Sequence, residues 1–124
     1  MADQPATPAQ IAYATTLRDQ IRDLYTTAAQ DPTWAEEIER RNHVHAVNIM
    51  RATTNRYAQR KMLGWELALM PVERPTADAA AAVRDAIKVA VAAQRETIRD
   101  TPDERLAAMT KAEAGEFIDI AKRF

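Results

Sequence analysis

The chain has 124 residues, a length that suits one domain. Its 17 Lys and Arg nearly balance its 18 Asp and Glu, so no net positive charge attracts nucleic acid or acidic membranes. It contains no cysteine and no serine, which excludes disulfides, thiolate chemistry and a serine nucleophile. Its two glycines, Gly64 and Gly115, are too few for a glycine-rich phosphate loop. We therefore expect a folded, non-enzymatic protein that needs no cofactor.

The sequence predicts neither a signal peptide nor a membrane-spanning helix. The N-terminus has no basic region followed by an apolar core, so it does not resemble a signal peptide. The longest apolar runs, such as Ala79–Val83, have five residues, whereas a helix that spans a bilayer needs about 20. These features predict a cytoplasmic protein with no membrane partner.

The first helix has a strong start signal. Residues 1–6 are predicted to be a disordered tail, after which Thr7 and Gln10 form a capping box around a proline at the first helical position. Apolar residues at helical spacing then predict a helix over about 8–29. Asp31 followed by proline begins a second helix, whose end the sequence leaves open.

Three more helix starts follow in the second half of the chain. Thr76 is the expected cap of a helix over 77–99, which a short linker places antiparallel to the central segment. Capping boxes that begin at Thr101 and Thr110 predict a short helix near 102–108 and a final helix near 111–123. No alternating strand pattern occurs. The prediction is an all-α, single-domain bundle over 7–124, with five to six helices and a long central helical hairpin.

The central segment, Arg40–Met70, contains no acidic residue before Glu66. At 100° per residue its bulky apolar side chains share one face, which we assign to the core: Val44, Val47, Met50, Tyr57, Met62, Trp65 and Leu69. As one helix of about 28 residues it would span roughly 40 Å, more than the diameter of about 35 Å expected for a compact domain of this size. It therefore either breaks near 53–55 or Gly64, or is covered by a second subunit in a homodimer.

The opposite face of the central segment is basic and amide-rich. Arginine binds phosphates, and Arg, Asn and Gln pair with base edges, so this face predicts DNA or RNA contact. The expected nucleic-acid-binding residues are Arg40, Arg41, His45, Asn48, Arg51, Asn55, Arg56, Gln59 and Arg60. The alternative is a solvated face whose arginines pair with carboxylates such as Asp85 or Glu96. The protein would then be a protein–protein interaction module, such as a phage accessory or inhibitor protein, without nucleic-acid contact.

The histidines do not predict a metal site. His43 and His45 are two residues apart, so on a helix they point in nearly opposite directions and cannot chelate one ion. Glu39 and His43 have suitable spacing, but no second pair complements them. We expect no metal.

Both ends of the chain carry a recognisable motif. Thr7-Pro8-Ala9-Gln10-Ile11 through Leu17 resembles the T-x-x-Q…L opening of small actinobacterial and actinophage proteins of unknown function. Met109 to Ile118 is similar to their L-T-K-x-E-A-S-x-x-I ending, with Gly115 in place of the usual serine. Some of those proteins carry the motif pair attached to nucleic-acid-processing domains. The resemblance implies that the first and last helices pack together, that the middle is an insertion, and that the context is a phage or mobile element.

Overall fold

The computed structural model describes residues 4–124, and this range contains seven helices, which confirms the all-α fold. None of the helices in the described range is long and apolar enough to cross a bilayer. The residues group into two compact units, of which unit 1 combines the chain up to Asp31 with Arg95–Phe124, and unit 2 is Pro32–Gln94. The helices are α1 (Pro8–Gln30), α2 (Pro32–Ala52), α3 (Arg56–Lys61), α4 (Gly64–Leu69), α5 (Ala77–Arg99), α6 (Asp103–Ala107) and α7 (Lys111–Ala121).

Unit 1 is built on the contact of α1 with α7, to which α6 adds a shorter contact with α1. Small side chains allow the two long helices to approach closely, since Ala14 on α1 and Ala114 on α7 are both almost fully buried. Larger side chains fill the remaining space: Leu106, Met109, Ile21 and Ile98. This is the packing that the terminal motifs imply, while the resemblance itself stays a prediction.

The predicted disordered tail is wrong for residues 4–6. The Lys111 N–H donates to the carbonyl of Gln4 at 2.7 Å, and the Ala6 N–H donates to the carbonyl of Met109 at 3.1 Å. Ala6 is also buried in the core of unit 1. Backbone pairing therefore orders this segment, and residues 1–3 of the predicted tail lie outside the described range.

The start of α6 also differs from its prediction. The Thr101 hydroxyl does not cap α6 but donates to the carbonyl of Thr97 at 2.8 Å, and α6 begins at Asp103. The carbonyl of Thr101 accepts instead from the buried Arg18 guanidinium at 3.1 Å, and Arg18 also pairs with Asp103 at 2.5 Å. Arg18, which is distant in the sequence, therefore stabilises the connection between α5 and α6 through these contacts, where the sequence predicted a local cap.

Unit 2 contains the central segment, and the segment is broken. The second predicted helix and the start of the segment form one helix, α2, which ends at Ala52. The chain then turns at residues 53–55 and breaks again before α4, which begins at Gly64. Both positions considered for a break are therefore used. Because the segment is broken, its length no longer requires a second subunit to cover it. The homodimer stays a prediction.

The core face that the sequence assigned to α2 is wrong. The helix buries Ile38, Asn42, Ala46, Ile49 and Ala52, and it leaves Val44 43% exposed. The helices α3 and α4 both pack against α2. Small residues allow helices to approach closely, and two of the five buried residues of α2 are alanines.

The α2 and α5 helices run in opposite directions within unit 2. Glu39, in the first half of α2, forms an ion pair with Lys88 at the middle of α5. Met50, near the end of α2, lines the same groove as Ala80 near the start of α5. This antiparallel order agrees with the short linker between them.

Candidate nucleic-acid interface

All nine predicted binding residues lie in unit 2, but the break in the central segment divides them. Five lie on α2, one lies in the turn, and three lie on α3. They also differ in whether their side chains already form hydrogen bonds or ion pairs within the protein. This second difference decides which of them are available to a ligand.

Arg40 and Arg41 share one carboxylate on their own helix. Glu37 accepts two hydrogen bonds from Arg40, at 2.6 and 2.8 Å, and one from Arg41 at 3.0 Å. The bonds from Arg40 and then Arg41 lower the pKa of the Glu37 carboxyl from its ordinary 4.5 to about 2. These two arginines are therefore paired, as the alternative interpretation expected, although their partner is neither Asp85 nor Glu96.

His45 faces inward and is corrected from binding residue to structural residue. Its Nε2 lies 2.5 Å from Oε2 of Glu66, and the Glu66 side chain is only 3% exposed. The Trp65 ring meets the imidazole edge to face at a centroid distance of 5.4 Å. The other Glu66 oxygen accepts the Leu63 N–H at 2.8 Å at the start of α4. This network ties α2 to α4 and leaves His45 little access to a base.

Asn55 and Gln59 are likewise used by the fold. The Asn55 side-chain oxygen accepts the Ala58 N–H at 3.1 Å and so caps α3. The Gln59 amide donates to the carbonyl of Ala52 at 2.6 Å, which satisfies the end of α2. Both residues stabilise the turn between the two helices, and this is a correction to their predicted role in base contact.

The other four predicted residues are exposed. No hydrogen bond or ion pair within residues 4–124 involves the side chains of Asn48, Arg51, Arg56 and Arg60. Arg56 and Arg60 are one turn apart on α3 and share a face. We refer to Arg56, Tyr57, Arg60 and Lys61 as the α3 surface. The sequence between Arg40 and Glu66 contains no acidic residue.

Unit 2 also contains an open groove of about 620 Å³ that was not predicted from the sequence. Its floor is apolar because Val47 and Met50, which the sequence assigned to the core, face small residues of α5. Arginines from three separate segments line it as well: Arg51, Arg74 and Arg84. Only Arg84 has an ion-pair partner within the described chain, the neighbouring Asp85 at 3.2 Å. The full lining is Val47, Met50, Arg51, Thr54, Arg74, Pro75, Ala77, Ala80, Ala81 and Arg84.

Charge is divided unevenly between the two units. Unit 2 has nine Lys and Arg against seven Asp and Glu, whereas unit 1 has eight against eleven. The net charge of −1 is therefore the sum of a basic unit 2 and an acidic unit 1.

No three His, Asp or Glu side chains of residues 4–124 come together in a way that could hold a metal ion.

Comparison with known proteins found no matching family model, no similar curated protein and no similar solved structure. A proposal about function therefore depends on the side chains and charges described above.

Proposed function

We propose that this protein binds nucleic acid through phosphate contacts made by Arg51 and the α3 surface. The observation that supports the proposal is that Arg51, Arg56 and Arg60 are exposed and have no ion-pair partner among residues 4–124. A guanidinium offers five donors that match the oxygens of a phosphate. Because no internal ion pair has to break first, these three arginines contact a phosphate at lower cost than Arg40 and Arg41 do.

The proposed contact is to the backbone of the nucleic acid more than to its base edges. Three of the side chains expected to contact bases, His45, Asn55 and Gln59, are occupied by hydrogen bonds within unit 2. Among the predicted amides and the imidazole, only the Asn48 side chain forms no hydrogen bond within residues 4–124. Phosphate contacts carry no sequence information directly, so we expect weak sequence preference. In the phage or mobile-element context that the terminal motifs imply, this describes an accessory nucleic-acid-binding protein.

Fluorescence anisotropy with a labelled oligonucleotide at several salt concentrations tests this proposal. Each phosphate neutralised contributes about 0.7 to 0.9 to the slope of log K against log salt, so three arginines predict a slope of about 2 to 3 in magnitude. Arg56→Gln should lower the slope by about 0.7 to 0.9. Arg105→Gln is the matched control, because Arg105 is exposed but lies in unit 1. Absence of salt-dependent binding by the wild type at about 50 mM salt would rule the proposal out.

The groove favours a second candidate function, in which unit 2 docks an acidic, amphipathic segment of a protein partner. Its apolar floor and three arginines match the chemistry of such a segment. Anilinonaphthalene sulfonate, an apolar anion, is a suitable probe of this chemistry. Ala81→Leu should weaken binding of the dye because Ala81 lines the groove, whereas Ala82→Leu, on an exposed alanine outside it, should not. Equal effects of the two substitutions would contradict this function.

A further inference from the structure

We infer that the nucleic acid bound by the α3 surface is single-stranded and that one of its bases stacks on the ring of Tyr57. This inference rests on the proposed function, because it names the form of nucleic acid that the same surface takes. It is drawn from the exposure of one aromatic ring, from the charges around that ring, and from the length of α3.

Tyr57 is an aromatic side chain that the fold does not use for packing. It is 65% exposed, compared with 45% for Tyr13 and 39% for Trp34, the other exposed aromatic residues of the described chain. The sequence predicted Tyr57 to face the core, and the break in the central segment turns it outward instead. An aromatic ring left in water offers a flat apolar surface that a base can cover.

The ring lies among positive charges. Arg56 precedes it, and Arg60 is one turn from Arg56 on the same six-residue helix. The ammonium of Lys61 lies 4.4 Å from the centroid of the Tyr57 ring. Cationic side chains around an exposed aromatic ring form the combination that binds single strands, because the cations hold phosphates while the ring stacks on a base.

Two features of α3 favour a single strand over a duplex. In a duplex each base is covered by its neighbours, so a protein ring cannot stack on it without the cost of unstacking. A helix of six residues spans only about 9 Å, which is short for a recognition helix in a major groove. Two polar side chains that were expected to contact base edges, Asn55 in the turn before α3 and Gln59 on α3, form hydrogen bonds with the backbone of unit 2 instead.

The test compares labelled oligo(dT) with a hairpin duplex at the same salt concentration. Wild type should bind oligo(dT) more tightly. Tyr57→Ala should weaken oligo(dT) binding by about 5- to 150-fold, the range known for loss of one stacked base, and leave the salt slope unchanged because no charge is removed. Tyr57→Leu, which keeps the bulk of the side chain, should show the same loss, whereas Tyr57→Phe should bind within about twofold of wild type. Tyr13→Ala is the matched control in unit 1.

The outcomes separate the inference from the proposed function. Salt-dependent binding with equal affinity for duplex and oligo(dT), or an unchanged oligo(dT) affinity in Tyr57→Ala, overturns base stacking and leaves the phosphate contacts intact. Absence of salt-dependent binding to either nucleic acid overturns the proposed function together with the inference. Equal losses in Tyr57→Leu and Tyr57→Phe also overturn the inference, because the aromatic ring would then make no difference.

Discussion

The buried carboxylate of Glu66 gives a direct test of how unit 2 is held together. One of its oxygens accepts the Leu63 N–H at 2.8 Å, and the other lies 2.5 Å from Nε2 of His45. The Glu66 side chain is 3% exposed, so water cannot replace these partners in the folded state. We predict that Glu66→Ala strongly destabilises unit 2, because it removes both interactions at once.

The magnitude follows from the two contacts. A hydrogen bond to a charged group contributes about 1.5 to 3 kcal/mol, and a helix cap contributes about 1 kcal/mol. Glu66→Ala should therefore lower the free energy of unfolding by about 3 kcal/mol. With a urea dependence of about 2 kcal/mol per molar, the unfolding midpoint falls by about 1.5 M.

Tryptophan fluorescence during urea unfolding provides the assay. Both tryptophans of the chain, Trp34 and Trp65, lie in unit 2, so their emission follows this unit. Glu73→Ala is the matched control, since Glu73 is exposed in the linker, and its effect should stay within about 0.5 kcal/mol. A loss below about 1 kcal/mol in Glu66→Ala would refute the reasoning. A double-mutant cycle with His45→Ala that gave no coupling energy would do so as well.

Two further predictions concern the paired carboxylate and the turn. In a carbon-13 NMR titration the Glu37 carboxyl should titrate at about 2, so the stability that its pairing contributes is present above its ordinary pKa of 4.5 and is lost as pH falls towards 2. Arg40→Ala should move this midpoint up towards 4.5, and a wild-type midpoint already near 4.5 would contradict the pairing. Asn55→Ala removes the cap on the Ala58 N–H and should cost about 1 kcal/mol in urea unfolding, whereas an unchanged midpoint would show that the cap does not hold α3.

Helix starts were predictable because their signals are local. The capping boxes at Thr7 and Thr110 are both present. In each box the threonine hydroxyl oxygen accepts the N–H of the residue three positions later, and the side chain of that residue, Gln10 or Glu113, accepts the threonine N–H. All the atoms involved lie within four residues, so no tertiary contact is needed to specify them. Thr101 shows the limit of this reasoning, since its hydroxyl bonds to the preceding helix instead.

The buried face of α2 could not be read from hydrophobicity. Helical periodicity predicts that Val47 and Met50 face the core, because their side chains are larger and more apolar than those of Ala46 and Ala52. The fold instead buries Ala46 and Ala52 together with Ile49, and Val47 and Met50 line the groove. The groove was therefore missed for the same reason that the core face was misassigned.

The pairing of the predicted binding residues was only partly predictable. The contacts of Arg40 and Arg41 with Glu37 have the spacing of neighbouring turns, and the sequence contains that signal. The contact of His45 with Glu66 spans 21 residues and depends on how the chain folds back after its break. Long-range partners of this kind follow from tertiary structure, which a single sequence does not specify locally.

Unit 2 contains exposed arginines without an ion-pair partner, Arg56 and Arg60, and arginines paired with Glu37, Arg40 and Arg41. The double variant Arg56→Gln/Arg60→Gln and the double variant Arg40→Gln/Arg41→Gln each remove two positive charges, and anisotropy titrations with oligo(dT) over a range of salt compare them. We predict that loss of Arg56 and Arg60 lowers the salt slope by about 1.4 to 1.8, and that loss of the pair on Glu37 lowers it by less than about half as much. Equal reductions in the two variants would contradict the account, because the ion pairs with Glu37 would then not determine which arginines bind phosphate.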